Sequence, residues 1–381
     1  MRKSVLIFTA GAIVCAAVAG VIRFKLVPDA ERVQSDQNTV TRYAGTASYL
    51  NQQAVAGGDL ANAFVKNAPF TAVETVKAIG MHGNVAVLSD VTAISGAGGV
   101  LGNPTSTWAV DRKTLMPAAA PAGVTADAHQ GLAVGFAFSP DKHDYPWWDG
   151  ATGTQATAKY VRSESHVGRS TYVFTVDASG AEKDPATLAQ LPPAVPVSVL
   201  KGLAATMAPA MQGALAALLP PGGDSVMVPL SYTSSTTTTM WVDQLSGTTV
   251  DADAHQTVTA QMKTKLGTVP LTAVLDVDTK MSPAGIADAV KQSKDDQSKL
   301  LWEGAVAPLA LVVLALALIV GAVLAGRRPR TADSAGTASG AAVGPTGGTG
   351  PTDAGTASNA GNANDAGDAE PEAFEPTAED E

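Results

Sequence analysis

The sequence predicts a mainly β protein with a few helices, in which an antiparallel β-rich domain lies between two transmembrane helices. An uncharged apolar run occurs near each end of the 381-residue chain. The stretch between the runs alternates β-branched segments with turns that contain Gly or Pro. The predicted parts are an N-terminal anchor (1–25), an extracytoplasmic domain (26–303), a C-terminal transmembrane helix (304–326) and a disordered acidic cytoplasmic tail (327–381).

The second apolar run, residues 304–325, gives the stronger membrane signal. It contains no charged residue and is long enough, at ~1.5 Å per residue, to cross a hydrocarbon core of ~30 Å. Arg327, Arg328 and Arg330 follow it directly. Because basic residues are retained on the cytoplasmic side, the chain after this span is expected inside the cell.

The first apolar run, residues 5–22, begins behind Arg2 and Lys3. A cleavable signal peptide is the alternative interpretation, since Ala17-Val18-Ala19 resembles a cleavage site. The run is longer than an ordinary signal core, which favours an uncleaved anchor. The expected topology is therefore a two-pass protein of the cell membrane, with cytoplasmic termini and one large domain outside.

The composition excludes several kinds of site in that domain. The only cysteine, Cys15, lies in the first apolar run, so residues 26–303 contain neither a disulfide nor a thiol nucleophile. The net charge of −10 gives no reason to expect nucleic acid as a partner. Residues 331–381 are built mainly from Gly, Ala, Thr, Ser, Pro and acidic residues, which predicts disorder.

The domain carries strand patterns along most of its length. Antiparallel pairing of these segments predicts either a sandwich or a curved half-barrel. Hairpin turns are expected at 80–84 and at 168–169. The predicted strand segments are 38–43, 73–81, 84–94, 105–115, 160–167, 170–176, 226–243 and 248–259.

One short pattern occurs twice. Trp108-Ala-Val110-Asp111 and Trp241-Val242-Asp243 each combine an aromatic residue, a β-branched residue and an aspartate before a turn. An aspartate at this position accepts hydrogen bonds from turn amides, so two equivalent strand–turn–strand units are predicted. The aspartates are interpreted as turn formers rather than catalysts.

Two stretches of the domain favour helices. Residues 199–219 are apolar, but Lys201 and Pro209 argue against a third span. A helix packed on the sheet is the simpler interpretation, and a helix that dips into lipid or gates an apolar cavity is the alternative. Ser282-Pro283 has the form of an N-cap and first helical residue, and predicts an amphipathic helix that runs to Leu300 and leads into the second span.

The stretch 135–150 is dense in aromatic residues, prolines and aspartates. A rigid, proline-fixed corner that pins a loop to the sheet is one interpretation, and contact with a sugar ring or a lipid is another. Asp141, His143 and Asp144 lack further ligands at a suitable spacing, so no metal site is predicted. The candidate ligand-binding residues are Tyr145, Trp147, Trp148 and Asp149, together with Trp108 and Trp241.

The same residues carry a resemblance to the PorA-type family of actinobacterial membrane proteins. The pattern consists of Phe138, Lys142, Asp144-Tyr145-Pro146, Trp147 and Trp148-Asp149, with Tyr172-Val-Phe174 and the turn at 241–247. The chain departs from the family at Asp243-Gln244, where glutamate-proline is usual. The resemblance implies a cell-envelope protein linked to the maturation of lipoglycans. A pore would require a closed barrel of ~10-residue alternating strands rather than two apolar helices.

No catalytic arrangement is visible. The histidines are scattered, and neither a Gly-x-Ser-x-Gly nor a His-Glu-x-x-His pattern occurs. The predicted function is non-enzymatic and needs no cofactor: the domain binds or transfers an envelope lipid or lipoglycan. A scaffold that organises envelope-assembly proteins is the alternative, and an envelope hydrolase is a third. An apolar tunnel behind 199–219 would favour lipid carriage, whereas convergent carboxylates in a cleft would favour the hydrolase.

Overall fold

The structure is a computed structural model that describes residues 3–97, 99–204, 223–264 and 267–327. The predicted disordered tail and most of the apolar stretch 199–219 lie outside the described residues. The strands are β1 (Asn38–Leu50), β2 (Phe64–His82), β3 (Val85–Gly96), β4 (Gly99–Gly102), β5 (Thr105–Asp111), β6 (Tyr145–Asp149), β7 (Thr154–His166), β8 (Arg169–Ala181), β9 (Ala194–Pro196), β10 (Met227–Asp243), β11 (Thr249–Thr264) and β12 (Gly267–Met281).

Helices lie mainly at the two ends of this strand series. They are α1 (Lys3–Val21), α2 (Val27–Ala30), α3 (Gln52–Ala56), α4 (Pro185–Ala189), α5 (Val197–Ala204), α6 (Pro283–Leu301) and α7 (Ala307–Arg327). A short 3-10 turn spans Leu60–Asn62, and π-helical segments span Ile22–Leu26 and Trp302–Val306. The fold class predicted from the sequence, mainly antiparallel β with two flanking apolar helices, is confirmed.

The strands form one antiparallel sheet rather than two packed sheets. Its order is β4-β3-β2-β1-β12-β11-β10-β8-β7-β6, with β5 beside β3 and β9 beside β10. The predicted hairpins are present as β2–β3 and β7–β8. Of the two predicted architectures, the sheet therefore matches the curved half-barrel.

The connection between β5 and β6 links the two edges of the sheet. Ala118 N donates to Ala109 O of β5 at 2.9 Å, and Leu132 N donates to Pro146 O of β6 at 2.8 Å. Leu115 packs against apolar clusters from both edges. The sheet therefore curls, and its inner face encloses the core.

Apolar residues fill the inner face at both ends of the long strands. The end next to α6 holds clusters that include Leu88, Val110, Phe174 and Val242. The far end holds clusters centred on α5, β10, β11 and β12. The middle is lined by small or polar residues, which the strand register places on one face: Gly45, Thr236, Ala254, Gln256 and Thr279.

The predicted aspartate turns are confirmed. Asp111 Oδ1 accepts hydrogen bonds from Lys113 N and Thr114 N at 3.0 and 2.9 Å. Asp243 Oδ1 accepts from Leu245 N and Ser246 N at 3.0 and 2.9 Å. In each case the hydroxyl three residues after the aspartate also donates to the same oxygen.

A third copy of this turn closes β6. Thr152 N donates to Asp149 Oδ2 at 3.0 Å, and the Thr152 hydroxyl donates to the same carboxylate oxygen. The common pattern is an aspartate at the end of a strand followed, three residues later, by serine or threonine. The structure assigns Asp149, a predicted ligand-binding residue, to this turn.

The helix predicted after Ser282 is also confirmed. Ser282 Oγ accepts a hydrogen bond from Gly285 N at 3.1 Å, and Pro283 occupies the first turn of α6. The helix packs on β1 and β11 and continues through Trp302–Val306 into α7.

Two helices in the described part of the chain are long and apolar enough to cross a membrane, over Ala10–Ala30 and Pro283–Leu324. α1 and α7 pack side by side, and a Cβ placed on Gly11 would lie 3.1 Å from Leu318. The π-helical segments that follow α1 and precede α7 also contact each other. Both apolar helices therefore leave the domain at the same place.

Candidate functional site

Two of the predicted ligand-binding aromatic residues lie in the core beside β8. The Tyr145 and Trp147 rings pack on Phe136, with centroid separations of 5.4 and 5.7 Å. Phe136 in turn stacks on the fully buried Phe174 at 4.6 Å. This arrangement fixes the 135–150 stretch to the inner face of the sheet, as the interpretation of a rigid corner describes.

Two further predicted residues meet in a different core cluster. Trp148 and Trp108 both pack in the cluster built from β2, β3 and β5. Trp108 Nε1 donates to Asp90 Oδ2 at 3.2 Å, and the ring makes an edge contact with His129 at 5.0 Å.

Trp241 lies apart from the other predicted residues. Its ring stacks on His166 at 4.7 Å, and its Nε1 donates to Glu164 Oε1 at 2.6 Å. His166 in turn contacts Asp251 at 2.7 Å. The structure therefore places the six predicted residues in three separate surroundings, and whether any of them contacts a ligand stays a prediction.

An apolar pocket lies beside the start of the 199–219 stretch, at the end of the sheet away from α6. It encloses about 30 Å³ between the sheet and α5. Val274, the pocket-lining residue of β12 nearest to α6, lies seven residues before Met281 at the end of the strand, so about 23 Å of strand separates the pocket from α6. Threonine is the only lining residue type that carries a side-chain polar atom; the lining consists of Leu50, Val55, Ala63, Pro192, Val195, Val199, Leu200, Leu230, Ala260, Leu271, Thr272 and Val274.

The described part of the 199–219 stretch closes one side of this pocket. Leu200 and Val197 of α5 are buried against Val228, Met262 and Leu271. The packed-helix interpretation holds for these residues. The feature expected of a lipid carrier was an apolar tunnel behind this stretch, and the pocket of about 30 Å³ is much smaller than a tunnel.

Two carboxylates converge on the inner face near α6. The Tyr43 hydroxyl donates to Glu74 Oε2 at 3.0 Å, and Asp90 accepts from Trp108. Burial is the largest effect on the Glu74 carboxyl, and together with the nearby negative charge of Asp90 it raises the pKa of Glu74 to about 7. Burial raises the pKa of Asp90 as well. Glu74 therefore holds a proton close to neutral pH.

The outer face of the sheet presents a group of possible metal ligands. His255, Asp276 and Asp278 have ligand atoms within 4.8 Å of one another, and the His255–Asp278 contact is 2.9 Å. One imidazole and two carboxylates are donors that suit a divalent cation such as Zn²⁺. The side chains are largely exposed, and the predicted absence of a metal stays a prediction.

Comparison with known proteins relates the chain to one family. The family described as Porin PorA matches residues 4–324. No curated protein gave a significant match.

Solved structures give only weak likenesses. A mutant porin of Rhodopseudomonas blastica is 9% identical, with a TM-score of 0.17 over 64% of this chain and 99% of that one. A protein of unknown function with a hot dog fold from Alicyclobacillus acidocaldarius is 11% identical, with a TM-score of 0.11 over 66% of this chain and 82% of that one. At these scores neither likeness supports an inference.

Proposed function

The chain belongs to the PorA family, and on that premise we propose that it is a membrane-anchored cell-envelope protein whose domain binds an envelope lipid or lipoglycan by its apolar chain. The apolar pocket beneath α5 carries the proposal. Cavities lined by apolar side chains exclude water and bind apolar groups instead. A pocket of about 30 Å³ has room for only about one or two carbon atoms at the end of an acyl chain, so the proposal requires the pocket to widen when lipid binds.

We further propose that both termini are cytoplasmic and that the sheet domain is extracytoplasmic. α1 and α7 leave the domain side by side, so their outer ends lie on the same side of a membrane. The arginines at 327, 328 and 330 favour the cytoplasm for that side. In this orientation the domain lies on the side of the membrane that holds the envelope lipids.

The outer face of the sheet supports a water-exposed domain rather than a pore formed by its strands. A transmembrane strand presents an apolar band to lipid. Here the middle of β11 and β12 exposes His255 and Asp278, and the neighbouring Lys280 pairs with Asp253 at 3.4 Å. Charged groups at these positions would be costly in a hydrocarbon core.

Filling the pocket is expected to remove bound lipid. Leu200→Trp places a bulky indole ring where the smaller Leu200 side chain is buried among the pocket-lining residues. We expect wild-type protein extracted in mild detergent to carry lipid in native mass spectrometry. In the variant the fraction of protein that carries lipid should fall at least about ten-fold, because a blocked site loses most of its contact area with the lipid.

Ile79→Trp is the matched control, since Ile79 is exposed on β2. It should retain the wild-type lipid content. If neither wild type nor control carries lipid, the lipid-binding function is contradicted, and the scaffold alternative gains support. Equal lipid content in all three proteins would show that the bound lipid lies elsewhere.

We propose that the domain performs no chemistry of its own, although the Glu74–Asp90 pair favours the hydrolase as a second candidate. Paired carboxylates with unequal protonation are the apparatus of glycoside hydrolysis. In this chain each carboxylate is already hydrogen-bonded to a protein donor, Tyr43 or Trp108. We expect no turnover of 4-methylumbelliferyl glycosides by the purified protein. Turnover that Glu74→Gln abolishes would establish the hydrolase.

A further inference from the structure

Glu182 is a buried carboxyl group with an unsatisfied oxygen. Only 6% of its surface is exposed. Its Oε1 accepts a hydrogen bond from Asp184 N at 2.8 Å. Its Oε2 is buried, and within the described part of the chain no donor reaches it in hydrogen-bond geometry, although the Ser234 hydroxyl is close enough to lower the pKa of the carboxyl.

Buried acceptors without a hydrogen-bond partner are rare because they destabilise the folded state. A buried acceptor without a partner loses its hydration and gains nothing in return. Burial raises the pKa of Glu182, while the hydrogen bond from the Asp184 amide and the nearby Ser234 hydroxyl act in the opposite direction. Native proteins satisfy nearly all buried polar atoms, so an oxygen in this state points to a donor supplied by a ligand.

The position of Glu182 connects it with the apolar pocket. Glu182 N donates to Tyr232 O at 2.9 Å, and residues opposite each other in an antiparallel pair share a face. Tyr232 packs with Ala260 and Val274, which both line the pocket. Its hydroxyl donates to the carbonyl of Pro192, a third lining residue. Tyr232 therefore separates the pocket from the carboxyl group.

The inner face becomes polar directly beyond Tyr232. Ser234 is the next inward residue on β10 and is 1% exposed. Gln256 Nε2 donates to Ser234 Oγ at 3.1 Å. The face therefore passes from an apolar pocket, through one tyrosine, to a carboxyl, a hydroxyl and an amide.

We propose that Glu182, Ser234 and Gln256 bind the head group of the lipid whose chain enters the pocket, and that this head group is an uncharged one bearing hydroxyls, such as a glycerol. The inference rests on the proposed function, because the pocket supplies the site for the chain. A hydroxyl donates to Glu182 Oε2 and also accepts from the neighbouring groups. An anionic head group would be repelled by the Glu182 carboxylate.

A matched pair of photoreactive probes tests the proposal. One is a 1-monoacylglycerol with a diazirine in its chain, and the other is its 2,3-di-O-methyl ether, which has the same chain and no hydroxyl. The full chain is reconstituted in nanodiscs and labelled at increasing probe concentration. Wild type should reach half-maximal labelling with the glycerol probe at a concentration at least about ten-fold lower than with the ether, as expected for a hydrogen bond to a carboxylate.

Variants separate the head-group site from the chain site. Glu182→Leu removes the acceptor and should bring the two probes to within about two-fold of each other. Glu182→Gln, which keeps a polar group for folding, should reduce the preference several-fold. Asp177 is exposed on the outer face of β8, the strand that ends just before Glu182, and Asp177→Leu should keep the wild-type preference.

The outcomes distinguish the inference from the proposed function. Loss of labelling by both probes in Leu200→Trp is the result expected if the chain occupies the pocket. Equal labelling of wild type by the two probes, or an unchanged preference in Glu182→Leu, would overturn the head-group site and leave the chain site standing. Failure of both probes to label wild type at peptides next to the pocket would overturn the proposed function and the inference that rests on it.

Discussion

Glu74→Gln is expected to make the protein more stable above pH 7 and to reduce the fall in stability between about pH 4.5 and about pH 7. Folding raises the pKa of Glu74 from 4.5 to about 7, first through burial and then through the charge of Asp90. Each unit of such a shift corresponds to about 1.4 kcal/mol. The full effect is therefore up to about 3 kcal/mol for this partly buried group.

The sign follows from proton binding. Between about pH 4.5 and about pH 7 the folded protein holds the Glu74 proton and the unfolded chain does not, so wild-type stability falls as the pH rises. Above pH 7 the folded wild type contains a buried negative charge. Glutamine resembles the protonated carboxyl and carries no such cost. Below pH 4.5 the two proteins should be similar.

Thermal unfolding in detergent across pH 4.5–8 measures this difference. At pH 8 the variant should melt roughly 5–10 °C above wild type, given about 2–4 °C per kcal/mol for a domain of this size. Asp177→Asn, which changes an exposed carboxyl on β8, is the control variant. A variant that is less stable than wild type at pH 8 would show that Glu74 is ionised and stabilising in the fold.

Asp243→Asn is expected to destabilise the domain by about 3–5 kcal/mol. Arg169 Nε donates to Asp243 Oδ2 at 2.9 Å, and the two side chains are only 10% and 3% exposed. Burial alone would raise the pKa of Asp243, but hydrogen bonds from the Ser246 and Leu245 amides and the Arg169 guanidinium lower it. Neutralising the aspartate leaves the Arg169 charge buried without compensation, which is the costly way to break such a pair.

Asp111→Asn is the matched control for this prediction. Asp111 forms the same turn with Lys113 and Thr114, but its side chain is not part of a buried ion pair. The substitution should cost less than about 1 kcal/mol, because the asparagine side-chain oxygen can accept the same turn hydrogen bonds. Equal losses in the two variants would mean that the turn hydrogen bonds, rather than the charge of Arg169, dominate at Asp243. Thermal unfolding at pH 7 compares them directly.

Local features of the fold were predictable from the sequence because they depend on neighbouring residues. The Ser282 cap, the β2–β3 turn around Gly83 and the aspartate turns at Asp111 and Asp243 each involve residues within a few positions of one another. The two apolar runs are likewise continuous in sequence. Periodicity and turn chemistry are sufficient for such features.

The sites were not predictable because they depend on strand register. Leu50, Ala260 and Leu271 meet in the pocket only because β1, β11 and β12 are adjacent in the sheet. Glu182 and Ser234 are separated in sequence and share a face because the pairing of β8 with β10 continues past the end of β8 to Glu182. The aromatic content of 135–150 indicated an important segment. The alternation of side chains along a strand did not by itself show which face of β6 is buried, and therefore did not show that Tyr145 and Trp147 face the core.

The extracytoplasmic location of the domain is the central claim. Because the chain has a single cysteine, labelling of introduced cysteines tests this claim most directly. In a Cys15→Ser background, one cysteine is introduced at exposed Lys263 in the domain and another, in a separate variant, at Arg330 after the second span. Both variants are treated with a membrane-impermeant maleimide in intact and in permeabilised cells. The account predicts that position 263 reacts in intact cells and that position 330 reacts only after permeabilisation. Labelling of position 330 in intact cells, with position 263 protected until permeabilisation, would contradict it.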